Sequence, residues 1–313
     1  MNRPFVLFGL LVLVLATAPF YADNYIVRLA TFVCMYSALA LSWNFIGGMA
    51  GYPSFATAAF MGLGAYAGAL SQKHGLPLPL AWTFATAFVA AFSALLGWAI
   101  LRMRGHYFAI GSISMVEVLR LIISSWGDFT GGGDGLNVTL VAGGPDFVAR
   151  LFLWVMLGIM LLVFAVTVAV DRGRLGFGLR CIQQNEDAAN MVGIDSTAYK
   201  IAGFTLSAMF CGTVGAVYAS WVAYIDPTDS FSILLTLKVP VMALLGGAGT
   251  VFGPVIGAAA FVIMEEVIWA RFLQYHYAIL GLVIVFLIFF LPGGLLRLDY
   301  RKMLARVGVG RAS

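Results

Sequence analysis

The stretch DRGRLGFGLRCIQQNEDAANMVGIDSTAYK, Asp171–Lys200, holds four basic and four acidic side chains in a chain of 313 residues of which only 10% are charged. Its surroundings are apolar. Hydrophobic residues make up 62% of the chain and aromatic residues 14%, and the mean hydropathy is +0.97. A soluble domain is about half apolar and a quarter charged; a soluble core of this size would leave too little polar surface to cover it. The composition therefore specifies a polytopic membrane protein, with Asp171–Lys200 as its one long polar interruption.

A helix needs about 20 mostly apolar residues to cross the hydrocarbon layer. Runs of that kind predict spans near 4–21, 26–46, 54–71, 78–101, 107–125, 148–170, 199–223, 231–247, 250–270 and 273–291. The fold class expected is an all-α polytopic membrane protein of about ten transmembrane or partly re-entrant helices, forming a single domain over 1–313. The spans 54–71, 231–247 and 250–270 are short or glycine-rich and are the candidates for re-entrant or broken helices. Arg3, the apolar run Val6–Leu15 and Ala16-Thr17-Ala18 imitate a cleavable secretory signal, but an uncleaved first span is the expectation because further spans follow.

Charge sets the orientation. The segment 126–147 carries Asp128, Asp134 and Asp146 without a base, and Asp226 and Asp229 follow Trp221 in the same way. Arginines cluster near 102–104, in 171–200 and in the tail about 293–313. Cytoplasmic loops of membrane proteins carry the excess of Lys and Arg. Ten crossings then satisfy every loop, with both termini and the 171–200 loop in the cytoplasm. The net charge of +4 is spread between spans rather than over one face, so it does not describe a nucleic-acid surface.

Within the polar stretch, CIQQNEDAANMVGI suits a short helix. Asn185 or Gln184 would stand near its start, and Glu186 and Asp187 at its positive dipole end. Gly193 would act as the left-handed stop, and Ala188, Ala189 and Met191 would face outward for contact. Spacing alone leaves open an ordinary solvated connection.

Catalytic chemistry is missing. None of the four lysines follows a glycine, so a G-x-x-x-x-G-K-[ST] phosphate loop cannot form. His74, His106 and His276 are far apart, and Cys34, Cys181 and Cys211 have neither paired nor metal-type spacing. The ionisable residues inside spans are few. Glu117 and Arg120 share a helix face, as a structural ion pair or as lining of a transport path; Lys238 can snorkel or pair; Glu265 and Glu266 fall near an outer interface. Glycines recur every four residues at Gly47/Gly51, Gly64/Gly68 and Gly249/Gly253/Gly257, a pattern that lets membrane helices approach closely. GGMAGYPSFATAAF and LLGGAGTVFGPVIGAAAF are weakly alike, each a glycine-rich break before a short apolar helix. Paired interruptions of this kind also mark transport paths.

Six blocks carry a resemblance. They are WNFIGGMAG with SFATAAFMGLGAY; RGHYFAI with VEVLRLI; TGGGDG; GLRCIQQNEDAANMVGI; YKIAGFTLSA; and LGGAGTVFGPVIGA. In this order the chain resembles the inner-membrane permease subunits of branched-chain amino acid ABC transporters, of the LivM type. The resemblance implies that 171–200 is a coupling loop whose short helix docks on an ATPase subunit, through Arg180, Glu186, Asp187, Ala188, Ala189 and Gly193. It further implies a second homologous permease subunit, two cytoplasmic ATPase subunits and a periplasmic binding protein as partners. ATP and Mg²⁺ would be bound by those ATPase subunits and no cofactor by this chain. Gly47, Gly51, Ser54, Thr57, Glu117, Arg120, Gly246, Gly249 and Gly253 are the candidates for the translocation path or for helix packing. One departure stands out: the family pattern reads Gly-His where this chain has Ala56-Thr57, which opens the cargo to urea, amides or other amino acids besides branched-chain ones. A stand-alone transporter or channel would need a coupling-ion site, for which the intramembrane carboxylates are sparse.

The topology is testable. A single cysteine at Asp134, in an otherwise cysteine-free chain, is expected to react with an impermeant thiol reagent added outside intact cells. Reaction only from the cytoplasmic side would overturn the orientation.

Overall fold

The computed structural model describes residues 2–103, 105–271, 281–282 and 294–295. The elements in chain order are α1 (Asn2–Tyr21), α2 (Asn24–Trp43), α3 (Thr57–Lys73), α4 (Leu78–Ile100), α5 (His106–Ser125) and the short α6 (Gly127–Thr130). Next come β1 (Leu136–Asn137), α7 (Pro145–Arg172), α8 (Arg174–Gln184), α9 (Glu186–Met191) and α10 (Ser196–Val222). The series ends with β2 (Tyr224–Ile225), α11 (Pro227–Ser230), α12 (Ile233–Gly246) and α13 (Gly253–Arg271). Seven helical segments among the described residues are long and apolar enough to cross a membrane. The predicted span 273–291 and the tail 293–313 lie outside the described residues except for four positions.

Two of the segments expected to be irregular behave accordingly. Helix α3 has 17 residues and α12 has 14, about 25 and 21 Å at 1.5 Å per residue and short of the ~30 Å hydrocarbon layer; α12 reaches a crossing length only together with α11, as Pro227–Gly246. Each follows or precedes a glycine-rich break. The chain leaves α2 through a π-helical turn, Asn44–Met49, and runs irregularly to Ala56 before α3 starts. It leaves α12 at Gly247 and re-enters helix at Gly253. Helix α13, by contrast, has 19 residues and is continuous.

Small residues decide the packing. Helix α10 lies against α3 and α4, while α2 holds α7, α12 and α13 and also touches α10. The α3–α10 crossing is made of glycine on both sides. A Cβ on Gly64 would collide with the backbone of Gly212, one on Gly215 with the carbonyl of Met61, and one on Gly68 would sit 2.9 Å from the Ala216 methyl. Polar groups add cross-links. Ser220 Oγ accepts from Gln72 Nε2 at 2.9 Å and from Trp82 Nε1 at 3.0 Å, and the Thr86 and Thr213 hydroxyls meet at 2.9 Å. Inter-helix hydrogen bonds in membranes average about 0.6 kcal/mol, so the close backbone contact is the larger contribution. Helix α1 docks by stacking Phe8 on Phe164 of α7, ring centres 3.9 Å apart.

The loops sort into two ends. At one end β1 pairs with β2 in antiparallel register (Leu136 with Ile225), Tyr224 Oη donates to the Asp134 carbonyl at 2.9 Å, and Asn24 Nδ2 donates to Asp146 at 2.6 Å. At the other end lie both glycine-rich breaks, the turn after α4 and all of α8 and α9. The base-free acidic segments thus share one end and the turn after α4 and the 171–200 stretch share the other, as the charge pattern predicts, with Lys73 at the end of α3 as an exception at the acidic end.

Because the α3–α10 contact leaves no room for a side chain, Gly64→Leu or Gly215→Leu should cost at least about 1–3 kcal/mol by overpacking. Gly158→Leu, at a position with nothing within 4 Å of an added Cβ, should be tolerated. Thermal melting of the detergent-solubilised protein checks this; equal melting of Gly64→Leu and Gly158→Leu would contradict the packing account.

Candidate functional site

The polar stretch folds by local rules. Gly173 breaks α7 from α8, and Asn185, in extended conformation, breaks α8 from α9. Asn185 then caps α9: its Oδ1 accepts from the Ala188 amide at 3.0 Å. Gly193, at φ +86°, ends the helix with Ile194 N–H bonding back to Ala189 O and Gly193 N–H to Asn190 O, both within 3.1 Å. Asp195 caps α10 through the Ala198 amide at 3.1 Å. The expected short helix exists and ends at Gly193 as expected; of the two residues expected near its start Asn185 is the cap, while Gln184 closes a second helix, α8, that precedes it.

The helix is tethered by a buried ion pair. Lys200, just past the first turn of α10, is only 2% exposed. Its Nζ donates to Glu186 Oε1 at 2.7 Å, and to Tyr52 Oη and the Leu101 carbonyl, each at 3.3 Å. All three ammonium donors are thereby used. Glu186 also accepts from Ser196 Oγ at 3.1 Å and from Tyr52 Oη. Burial pushes the Glu186 carboxyl up, but hydrogen bonds from Lys200 and Tyr52, the Lys200 charge and the Ser196 hydroxyl outweigh it and hold it below the ordinary carboxylate value. Four segments meet here: the first break, the end of α4, α9 and α10.

This geometry corrects two expectations about the contact face. Glu186 directs its carboxylate inward instead of offering it to a partner, and Ala189 is buried at 3% exposure rather than presented. Burying Ala189 is what lets α9 lie flat on the protein. The outward face consists of Asp187, Ala188 and Asn190, with Met191 and Val192 at the tip, 87% and 76% exposed.

Helix α8 and an asparagine tie this assembly to both breaks. Gln183 Nε2 donates to the Gly48 carbonyl at 3.0 Å, and Arg180, ion-paired with Asp171, reaches the Gly249 carbonyl at 3.4 Å. Asn44, at the start of the π turn, accepts from the Gly249 amide at 2.7 Å and donates to the Thr250 carbonyl at 3.0 Å. The widened turn aims this amide sideways at the second break. Gly249 is left-handed (φ +78°), and its Cβ would stand 3.0 Å from the Gly48 carbonyl; Gly51 (φ +72°) would press on the Gln183 side chain at 2.9 Å. The two breaks therefore touch through backbone.

The remaining candidates lie elsewhere. Gly47 faces the Trp43 ring, Gly246 and Gly253 meet at the α12–α13 contact, Thr57 is buried at the start of α3, and Ser54 is buried in the first break, where its carbonyl accepts from Trp43 Nε1 at 2.7 Å. Glu117 and Arg120 form the expected bidentate pair on α5, away from the junction. Lys238 pairs with Glu265 across α12 and α13, which resolves its two readings in favour of pairing. Asn44, Tyr52, Gln183 and Lys200 were not among the candidates. Asn44 carries a signal, as a lone amide in an apolar run beside two glycines; Lys200 reads as one more loop cation.

Breaking a buried ion pair by removing one partner costs about 3–5 kcal/mol, whereas removing both is far milder. Lys200→Met should destabilise the protein by that order, and adding Glu186→Leu should recover most of it. Folding lowers the Glu186 pKa, so its stabilisation is complete above the ordinary value of 4.5 and is lost as pH falls below that. Melting of the native chain and Glu186→Gln should differ at pH 7 and converge in acid; equal melting at pH 7 would contradict the tether.

The family model for branched-chain amino acid transport system permease components matches residues 25–288. The high-affinity branched-chain amino acid transport system permease protein LivM of Escherichia coli (strain K12) is 28% identical over 97% of this chain and 78% of its own length. Its counterpart from Salmonella typhimurium is also 28% identical, over 96% of this chain and 77% of its own. A shorter match, 26% identical over 35% of this chain and 32% of the relative, is to the autoinducer 2 import system permease protein LsrC of Yersinia enterocolitica. No solved structure matches. The match over most of the length, on a helical bundle whose glycine-rich breaks meet under a capped polar loop, places this chain in the family of branched-chain amino acid transport system permease components.

Proposed function

We propose that this chain is half of the translocation path of an ATP-driven importer in the bacterial inner membrane, with both termini and 171–200 cytoplasmic. The other half is a second, homologous permease subunit. Two ATPase subunits bind ATP and Mg²⁺ beneath the pair, and a periplasmic binding protein delivers cargo. Branched-chain or other hydrophobic amino acids are the cargo favoured by the names of the full-length relatives, with urea or short amides as the alternative class.

One observation carries this reading. Helix α9 presents an exposed tip, Met191 and Val192, while its base is locked to the bundle. A helix that docks in a groove needs an exposed apolar anchor, and a helix that transmits force needs a rigid base. Asp187, Ala188 and Asn190 supply the flanking contact surface. Arg180, Glu186, Ala189 and Gly193 act from within, shaping the element and holding it to the breaks. A displacement of the tip passes through Glu186–Lys200 to α10 and through Gln183, Arg180 and Asn44 to the ends of α2, α3, α12 and α13.

Met191→Glu with Val192→Glu should leave melting within about 0.5 kcal/mol of the native chain, as exposed substitutions do. It should nonetheless reduce ATPase co-purification and ATP-dependent uptake of the binding protein's cargo in the same membranes. Normal recruitment and uptake would reduce 171–200 to a connecting loop.

A further inference from the structure

Lys238 stands in the membrane part of the bundle, paired with Glu265 and only 9% exposed as a residue. Packing alone does not call for such a pair, since apolar replacement of both partners is often neutral or stabilising. Intramembrane charges tend to line pathways. What distinguishes this pair is that it borders empty space on both sides.

Lys238 lines a cavity of about 210 Å³, together with Asp229, Ser230, Ser232, Tyr36 and Tyr218. Glu265 lines an adjoining cavity of about 310 Å³ with Glu266, and Tyr36 and Phe32 border both. Met35, Met61 and Leu235 complete the lining of the first cavity, which is thus part polar and part apolar. A cation and an anion, Lys238 and Asp229, thus face one small chamber, with a second anion bonded to the cation from behind.

We propose that this chamber is a binding station for a small zwitterionic α-amino acid with an apolar side chain, an inference that rests on the importer reading above. The solute carboxylate takes the place of Glu265 on Lys238 Nζ, and its ammonium faces Asp229 and the released Glu265. Lys238, the one buried charge of the three, then keeps an anionic partner, and a zwitterion adds no net charge beside it. A simple anion would leave its entry uncompensated beside Asp229, and a neutral amide offers nothing ionic to replace Glu265. A cavity of about 210 Å³ has room for one small solute. The apolar part of the lining takes the side chain.

The test uses the complete transporter in liposomes, with Cys34, Cys181 and Cys211 replaced by Ser and Ser232→Cys as reporter. Leucine should slow alkylation of that cysteine several-fold, while 4-methylpentanoate and leucinamide, each carrying one of its charges, should not. Lys238→Met should abolish the protection and lower ATP-dependent leucine uptake about tenfold or more, the loss of one charge-assisted partner at 1.4 kcal/mol per decade. Lys238→Met with Glu265→Leu should melt like the native protein yet remain unprotected, which separates binding from folding. Absence of protection by leucine, equal protection by all three solutes, or protection that survives Lys238→Met overturns the station. ATP-independent uptake by the native complex would instead sink the importer reading, and leaves the alkylation result to judge the chamber.

Discussion

A lysine ammonium buried to 2% exposure at the edge of a membrane bundle is tolerable only if each of its three donors finds an acceptor. Lys200 finds them on three different segments, and the acceptor that carries charge, Glu186, belongs to the loop helix α9. The requirement works in both directions. The loop cannot lift away without stranding a buried cation, and α10 cannot shift without carrying the loop along. Tyr52 closes the arrangement by donating to the same carboxylate while its ring lies 4.8 Å from the ammonium, which adds the first glycine-rich break to the assembly.

The bundle that receives this tether is itself built from close approach. Where α3 crosses α10 and where α12 meets α13, glycine leaves backbone against backbone, so these helices have few intermediate positions available. The two breaks obey the same rule: Gly48 and Gly249 touch, and Asn44 satisfies the amide and carbonyl that the second break exposes. Irregular backbone within a membrane protein is stable only where its polar groups are met by protein or water. Here one amide side chain and the α8 side chains Gln183 and Arg180 meet them, and the same bonds join loop to bundle.

Much of this was legible in the sequence because it follows from patterns of one residue type. Hydropathy located the helices, charge sorted the loops into two ends, and Asn185 and Gly193 marked the limits of α9. Glycine spacing pointed to the close contacts. What escaped depends on tertiary pairing. Glu186 reads as a helix-start charge open to a partner, and only the position of Lys200 fourteen residues later, across a turn, reverses it. Ala189 differs from Ala188 solely in which side of a six-residue helix meets the protein. The role of Lys238 required knowing that α13 places Glu265 opposite it.

The central claim is that loop and breaks move as one body. Spin labels at Met191 and Val251 report distance within that body, and labels at Met191 and Asp134 report its distance from the opposite end. In the assembled complex, passage from the nucleotide-free to the ATP-bound state should leave the 191–251 distribution unchanged and shift the 191–134 distribution. A shift between 191 and 251 with the 191–134 distance fixed would mean that the loop flaps alone, and the tether would have no part in transmission.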